Sequence, residues 1–174
     1  SGTGASEKKA AAIAGANLGD GGLHDTIIPL KETGGVVNAV TIAFIMKDPN
    51  ISTSQLVRTQ LGVGESNTTN RFVIDVRKNR VIARYGDDAR IVNLTYSGDI
   101  LTPVLTAEGG AVHFAIPELS VDETDTYTPA GSPTTEGKLG RFEAYIGEVL
   151  ILSRKITDAE LVQLRAYWAD KYGT

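Results

Sequence analysis

Apolar side chains recur at every second position in several short segments of this chain. Residues 40–46 show this alternation, and residues 72–76 and 81–85 show it on either side of a short turn. A period of two is that of a β-strand with one buried face, and two such runs joined by a short turn predict a hairpin. Further short runs follow at 90–96, 100–106, 111–116 and 141–153. Short strands separated by turn residues are typical of an antiparallel sandwich or barrel.

Three other segments add to this pattern. Residues 149–152 (Val-Leu-Ile-Leu) are apolar on both faces, which predicts a central strand that is covered on both sides. The sequence Glu108-Gly109-Gly110 predicts a turn between two strands. Residues 120–138 are rich in Thr, Asp, Pro and Gly and hold few apolar groups, which predicts a long surface loop.

One helix is predicted near the end of the chain. Thr157 and Glu160 have the spacing of a capping box, and the apolar residues on either side of this box have the spacing of a hydrophobic staple. Leucine and tryptophan side chains follow at helical intervals, and Gly173 is placed to end the helix. We expect a helix over 158–171, packed on a sandwich domain that occupies residues 31–174.

The first 30 residues have a different composition. Residues 1–22 contain six glycines and six alanines, with few large apolar groups. Such a segment buries too little apolar surface to offset the entropy lost on ordering. We therefore expect residues 1–30 to form a flexible Gly/Ala-rich arm. The pattern of a secretory leader, a basic stretch followed by an apolar one, is not seen here.

Charge and composition exclude several classes of function. The chain has 17 basic and 21 acidic residues, a net charge of −4, and its basic residues are scattered. Binding to a phosphate backbone needs clustered Lys and Arg, so no nucleic-acid partner is expected. No apolar run approaches the length of a membrane span, so no membrane partner is expected either. The absence of cysteine excludes disulfides, zinc–thiolate sites and thiol catalysis.

The closing segment carries a family resemblance. Residues 141–161 (RFEAYIGEVLILSRKITDAEL) and the ending YWADKYG resemble the last strand and capped helix of laminin-G-like domains, which belong to the concanavalin A-like lectin/glucanase class. Ala144 and Leu152 depart from the family pattern, in which glycine and an aromatic residue are common. The positions that fit it are Ile146, Glu148, Val149, Leu150, Ile151, Arg154, Thr157, Glu160 and Gly173.

This resemblance implies an all-β fold: a two-sheet antiparallel jelly-roll sandwich, concanavalin A-like, with one C-terminal helix. It does not imply a single activity, because the same fold serves lectins, glucanases and structural modules. Glu148 and Arg154 are both part of the family pattern. We expect them to form a structural ion pair that ties the last strand to the start of the helix, because a buried carboxylate needs a partner. The alternative is that Glu148 is a carboxylate of a sugar site.

No catalytic arrangement is expected, and the chain is therefore predicted not to be an enzyme. Glycosidases need two carboxyl groups at a set separation, and in the glucanase branch of this class these lie on one strand as Glu-x-Asp-x-x-Glu, a spacing that no apolar strand here contains. His24 and His113 are too far apart in the sequence to predict a metal pair or a catalytic triad.

The acidic residues of the predicted loop are the remaining candidates for a site. Calcium is bound by several oxygen ligands, but a solvated acidic loop is the favoured interpretation, and no cofactor is expected. Tyr127, Asp122 and Asp125 are the residues we nominate for contact with a ligand or partner. The acids that Ca²⁺ would use are Asp87, Asp88, Glu118, Asp122, Glu123 and Asp125.

Two functions follow as hypotheses. The first is a non-enzymatic assembly protein that decorates a phage virion, as a capsid cement or a head or tail accessory protein. Its partners would be capsid or tail proteins and further copies of itself. The alternative is a carbohydrate-binding module of a larger secreted protein, with a glycan as its partner and an exposed aromatic residue as its sugar platform.

Overall fold

The computed structural model describes residues 32–33, 36–37, 39–47, 59–63, 72–77, 80–85, 88–93, 100–127, 137–139 and 145–173. The predicted arm over 1–30 lies outside these residues. The elements are β1 (Glu32–Thr33), β2 (Val36–Val37), β3 (Ala39–Lys47), β4 (Thr59–Val63), β5 (Phe72–Arg77), β6 (Arg80–Tyr85), β7 (Asp88–Asn93), β8 (Ile100–Leu101), β9 (Val104–Glu108), β10 (Ala111–Ile116), a 3-10 turn (Pro117–Leu119), β11 (Val121–Thr126), β12 (Gly137–Leu139), β13 (Tyr145–Leu152) and α1 (Asp158–Tyr172).

The strands form two antiparallel sheets. The first sheet has the order β11-β10-β9-β3-β13, with β8 also paired to β3, and the second has the order β12-β4-β5-β6-β7. Strands β1 and β2 pair separately as a short ribbon. The predicted all-β sandwich with one C-terminal helix is therefore confirmed, as is the predicted hairpin of β5 and β6.

The space between the sheets holds the main hydrophobic core. Alternate residues of β3, such as Ile42 and Phe44, face the second sheet and pack in one cluster with Ile74 and Val81. The inward residues of β9, β10 and β13 belong to the same cluster. Side chains that alternate along a strand reach this core from one face only, which explains the period of two in the sequence.

Helix α1 creates a second core on the outer face of the first sheet. Ala43 and Ile45 lie there with Trp168 and Leu161. Residues 40–46 are consequently buried on both faces. The expectation of one buried face for this strand is wrong, because the helix excludes water from the side that a two-layer sandwich leaves open.

Strand β13 is covered on both sides but is not central. Val149 and Ile151 belong to the inter-sheet core, while Leu152 packs in the cluster under the helix. Within the described strands β13 pairs with β3 alone, at one end of the first sheet. The prediction of a doubly covered strand is confirmed, and its central position is wrong. Apolar residues on both faces of a strand indicate that other layers cover the sheet above and below. They do not indicate that the strand has a neighbouring strand on each side within the sheet.

Part of the predicted loop is a strand. Val121–Thr126 forms β11, which pairs with β10 along its whole length at the edge of the first sheet. Its side chains are mostly exposed, so this edge strand forms with few apolar residues. The charged side chains on this edge also oppose pairing with strands of other chains. The prediction of a surface loop is therefore wrong for 121–126 and for 137–138, which begin β12, while residues 128–136 lie outside the described residues.

The ends of α1 agree with the sequence. The Thr157 hydroxyl accepts a hydrogen bond from the Glu160 backbone N–H at 3.3 Å, and the Glu160 carboxylate accepts one from the Thr157 backbone N–H at 3.0 Å. Gly173 ends the helix with a φ of +71°, a conformation that glycine adopts without strain. Among the described residues, no helix has the length and apolar character needed to cross a lipid bilayer.

The turn between β9 and β10 is also confirmed. Gly109 and Gly110 have φ angles of +58° and +87°, and Glu108 and Ala111 pair on either side of them. Two central residues with positive φ are typical of the tight hairpin turns that match strand twist.

Candidate functional site

A cavity of about 210 Å³ lies where β6 of the second sheet approaches β10 and β11 of the first. We call it the rim cavity. Val112 and Phe114 supply apolar side chains from the inter-sheet core, and the other lining residues are polar or carry a hydroxyl group. The described residues that line it are Tyr85, Val112, Phe114, Glu123, Thr124 and Asp125.

The register of β11 explains why two carboxylates line this cavity. Glu123 pairs with Phe114, and Asp125 pairs with Val112. Residues that are directly opposite in an antiparallel pair share one face of the sheet, and Val112 and Phe114 face the core. Glu123 and Asp125 therefore lie on the inward face of β11, which is the edge strand of the first sheet.

Hydrogen bonds from Tyr85 and Thr126 help to orient the side chain of Asp125. The Tyr85 hydroxyl donates to Asp125 Oδ2 at 2.6 Å, and the Thr126 backbone N–H donates to Asp125 Oδ1 at 2.8 Å. Tyr85 is only 2% exposed, so the first bond joins the two sheets at the wall of the cavity. Each oxygen of an ionised carboxylate accepts more than one hydrogen bond. The Asp125 carboxylate is thus oriented at the wall of the cavity.

Tyr127 occupies a different environment from the one expected. Its side chain is 8% exposed and belongs to the inter-sheet core. Its ring meets that of Phe72 edge-on, with a centroid distance of 5.1 Å. Burial raises the pKa of the Tyr127 hydroxyl, which has no hydrogen-bond partner within the described part of the chain. The idea of Tyr127 as an exposed sugar platform is therefore wrong.

Asp122 lies on the opposite face of β11 from Asp125, since the two are an odd number of positions apart. Asp122 Oδ1 is 2.5 Å from His113 Nε2. The hydrogen bond to His113 and the charge of that imidazole lower the pKa of Asp122, and Arg165 adds a smaller effect in the same direction. The two aspartates that we nominated together therefore belong to different surfaces.

The acidic residues considered for Ca²⁺ are dispersed in the same way. Glu118 accepts a hydrogen bond from the Thr102 backbone N–H at 3.0 Å and another from the Thr102 hydroxyl. Where the structure is described, no group of three His, Cys, Asp or Glu side chains comes together to hold a metal ion. The side chains of Asp87 and Asp88 lie outside what is described.

Glu148 and Arg154 do not pair with each other. The Arg154 guanidinium forms two hydrogen bonds to the Glu160 carboxylate, each of 2.7 Å. At about 3.3 Å per residue, Glu148 lies roughly 13 Å along β13 from Leu152, where the strand ends. Arg154 follows that end and meets the start of α1, whereas Glu148 meets the last two turns of the helix. The expected ion pair is wrong, although each residue links strand and helix.

Glu148 is an anchor for the helix. Its side chain accepts hydrogen bonds from the Tyr167 hydroxyl at 2.8 Å, from Trp168 Nε1 at 3.2 Å and from the Lys171 ammonium. Burial alone raises the pKa of Glu148, but the hydrogen bonds from Lys171, Tyr167 and Trp168 outweigh it and hold the pKa below its ordinary value. Its acceptor sites are thus directed at the protein and not at a ligand.

Sequence reasoning missed Tyr85 as a member of a site, and it considered Glu123 only as one of the acids that Ca²⁺ would use. The available signal was the alternation of Val121, Glu123, Asp125 and Tyr127, which places all four on one face of a strand. Because residues 120–138 were interpreted as a loop, this alternation was not used to assign the four side chains to one face.

Comparisons with known proteins extend the description of the fold. No family model matches the chain, and no curated protein matches it in sequence. The structure is similar to the CBM40 domain of the Ruminococcus gnavus IT-sialidase, with a TM-score of 0.62, 14% identity, and coverage of 88% of this chain and 97% of that one.

Two larger proteins contain a similar unit. The botulinum neurotoxin serotype D binding domain has a TM-score of 0.62 and 12% identity over 89% of this chain, which spans 45% of that domain. Trypanosoma rangeli sialidase in complex with sialic acid has a TM-score of 0.58 and 10% identity over 89% of this chain, which spans 27% of that structure. At these identities the likeness defines the class of fold: a lectin-like β-sandwich.

Proposed function

We propose that this chain is a non-catalytic carbohydrate-binding module and that the rim cavity is its sugar-binding site. The similarity to the CBM40 domain supports this proposal, because it extends over 97% of that domain's length. None of the likenesses described above involves a virion protein. The secreted carbohydrate-binding alternative is therefore preferred to decoration of a phage capsid or tail.

The observation that carries the proposal is the chemistry of the cavity wall. Val112 and Phe114 form an apolar surface, and the Asp125 carboxylate is oriented beside it by Tyr85. A few positioned polar groups beside an apolar surface are typical of small-molecule sites. A sugar ring matches this combination, since it has hydroxyl groups around its edge and C–H groups on its faces.

The test compares two aspartates of β11 that face opposite ways. Asp125→Asn weakens an acceptor in the cavity, while Asp122→Asn changes the same side chain on the outer face. We expect the wild-type chain to bind members of a glycan array. Loss of a charged acceptor corresponds to at least about tenfold weaker binding for Asp125→Asn in calorimetry, with no change for Asp122→Asn.

Two results would overturn this proposal. One is an array on which the folded wild-type chain binds no glycan. The other is a glycan that binds equally well to both variants, which would move the site away from the rim cavity. Near-UV circular dichroism shows whether each variant keeps the native packing around Tyr85, so that lost binding is not mistaken for unfolding.

A further inference from the structure

We infer that the exposed ring of Tyr167, near the end of α1, is a second sugar-binding surface, on which the C–H face of a pyranose ring stacks. This inference rests on the proposed carbohydrate-binding function but not on the rim cavity. The rim cavity is lined from the inward face of the first sheet, whereas α1 packs on the outer face of that sheet.

Tyr167 differs from the other aromatic residues in its exposure. Among the aromatic side chains that the structure describes, only that of Tyr167 is exposed, at 46%. Trp168, the next residue, is 1% exposed and packs in the cluster under the helix. A tyrosine at the surface combines an apolar ring with a polar tip, and such residues are enriched at binding interfaces. Tyr167 therefore supplies the exposed aromatic ring that the buried Tyr127 does not.

The ring of Tyr167 is fixed by contacts at its hydroxyl end. The hydroxyl donates a hydrogen bond to Glu148 Oε1 at 2.8 Å and accepts one from the Lys171 ammonium at 2.8 Å. Glu148 is 8% exposed and also accepts a hydrogen bond from Trp168 Nε1 at 3.2 Å, so the ring is attached to a buried group of β13. A side chain that is already fixed loses little conformational entropy when a ligand binds.

These contacts leave the faces of the ring open. The Lys171 ammonium lies 2.8 Å from the Tyr167 hydroxyl oxygen and 5.2 Å from the ring centre. Because the hydroxyl projects from one end of the ring, an atom at these two distances lies beyond that end and not above the ring centre. The exposed part of Tyr167 therefore includes ring carbons, which form the kind of apolar surface that sugar C–H groups contact.

Polar side chains border the ring on the surface of the helix. Gln163 lies four positions before Tyr167, Asp170 lies three positions after it, and both are exposed. Residues three and four positions apart are neighbours on a helix. The Gln163 amide both donates and accepts hydrogen bonds, and the Asp170 carboxylate accepts them. This arrangement complements a pyranose, which has C–H groups on its faces and hydroxyl groups around its edge.

Two substitutions of Tyr167 separate binding from structure. Tyr167→Ala and Tyr167→Phe both lose the hydroxyl that donates to Glu148, but only Tyr167→Ala loses the ring. We expect sugar affinity at α1 to fall at least about tenfold in Tyr167→Ala and to stay within about threefold of the wild type in Tyr167→Phe. Val162→Ala changes another exposed side chain of the same helix and should leave the affinity unchanged.

Nuclear magnetic resonance measures these affinities on the full chain. The probes are the methyl glycosides of glucose, galactose and mannose, and the titration follows the backbone amides of α1 and of β11 separately. We expect at least one glycoside to shift the amides around Tyr167. These shifts should be lost in Tyr167→Ala and kept in Asp125→Asn, which alters the rim cavity alone. The amide spectrum also shows that each variant is folded.

The possible outcomes distinguish the two proposals. Equal weakening in Tyr167→Ala and Tyr167→Phe would assign the effect to the lost hydrogen bond and overturn this inference. A sugar that shifts only the amides of β11 would also overturn it and leave the proposed function standing. Binding at α1 alone would support this inference and reject the rim cavity as the sugar site. No binding of any sugar, here or on the glycan array, would reject both proposals.

Discussion

The hydroxyl of Thr41 accepts a hydrogen bond from the backbone N–H of Ile156 at 2.8 Å, across 115 positions of sequence. The same hydroxyl donates to the backbone carbonyl of Arg154 at 2.7 Å. Thr41 is completely buried. One side chain of β3 therefore satisfies two backbone groups of the segment that joins β13 to α1, and it fixes where that segment lies on the outer face of the first sheet.

Replacing this hydroxyl should destabilise the fold. Thr41→Val keeps the shape of the side chain and leaves the Ile156 N–H buried without a partner, which costs about 1–3 kcal/mol. Thr41→Ser keeps the hydroxyl and loses one methyl group, so it should cost about 1 kcal/mol. Urea unfolding of the two variants measures the difference. If Thr41→Val is as stable as Thr41→Ser, the two hydrogen bonds contribute nothing measurable.

The anchor at Glu148 leads to a second prediction. Glu148→Gln keeps the size of the side chain but removes the charge that Lys171 contacts. We expect a loss of about 1.5–3 kcal/mol in the free energy of unfolding, as for other hydrogen bonds to charged groups. Because Lys171 is partly exposed, the loss should fall in the lower half of this range. Asp170→Asn changes an exposed carboxylate of the same helix and should have little effect. Equal stabilities for the two variants would contradict the anchoring role.

The pairing of Glu160 with Arg154 predicts a dependence on pH. The hydrogen bonds from Arg154 and Thr157 lower the pKa of Glu160 from its ordinary value of 4.5 to about 2. A folded-state pKa below the unfolded one means that the stabilisation is present above pH 4.5 and is lost as the pH falls towards 2. We expect Glu160→Gln to have a lower melting temperature than the wild type at pH 6, and this difference to become much smaller as the pH falls to 2.

Salt and a matched variant make this test specific. The pair is partly exposed, with 40% of each side chain accessible, so added salt should narrow the gap at pH 6. Glu118→Gln alters a carboxylate whose hydrogen bonds come from Thr102, and it should leave the melting of α1 unchanged. A gap between the wild type and Glu160→Gln that stays constant from pH 6 to pH 2 would rule out titration of Glu160 as its cause.

Gly147 lies at the register shift in β13, directly under the end of the helix. A Cβ atom there would lie 2.9 Å from the ring of Tyr172 and 3.0 Å from Ile45 Cγ2. We expect Gly147→Ala to cost about 1–2 kcal/mol, in the lower part of the range for overpacking, because the tyrosine ring can shift. In a Tyr172→Leu background the same substitution should cost less than half as much, as measured by a double-mutant cycle. Equal costs in the two backgrounds would show that the ring is not the obstacle.

The candidate site was only partly accessible to sequence reasoning. Asp125 was nominated and lines the rim cavity, but it was grouped with Asp122, which faces the other way, and with Tyr127, which is buried. Such a grouping follows from treating neighbours in sequence as neighbours in space. In a strand, consecutive side chains point to opposite faces, so only a correct assignment of β11 would have separated them.

The sequence by itself determined the local structure of this protein. The capping box at Thr157, the end of α1 at Gly173 and the glycine turn after Glu108 all depend on groups within a few positions of one another. The period of two identified most strands for the same reason, because alternation is a property of one strand and one buried face.

Only the tertiary structure decided which side chains meet. Tyr85 and Asp125 are 40 positions apart, and Glu148 and Lys171 are 23 apart. Their contacts depend on how the two sheets stack and on where the helix crosses the first sheet. The sequence offers many carboxylates that could accept a hydrogen bond from a given donor. The order and register of the strands decide which of these carboxylates lies next to that donor. The rim cavity follows from the same cause, since its lining combines β6 of the second sheet with β10 and β11 of the first.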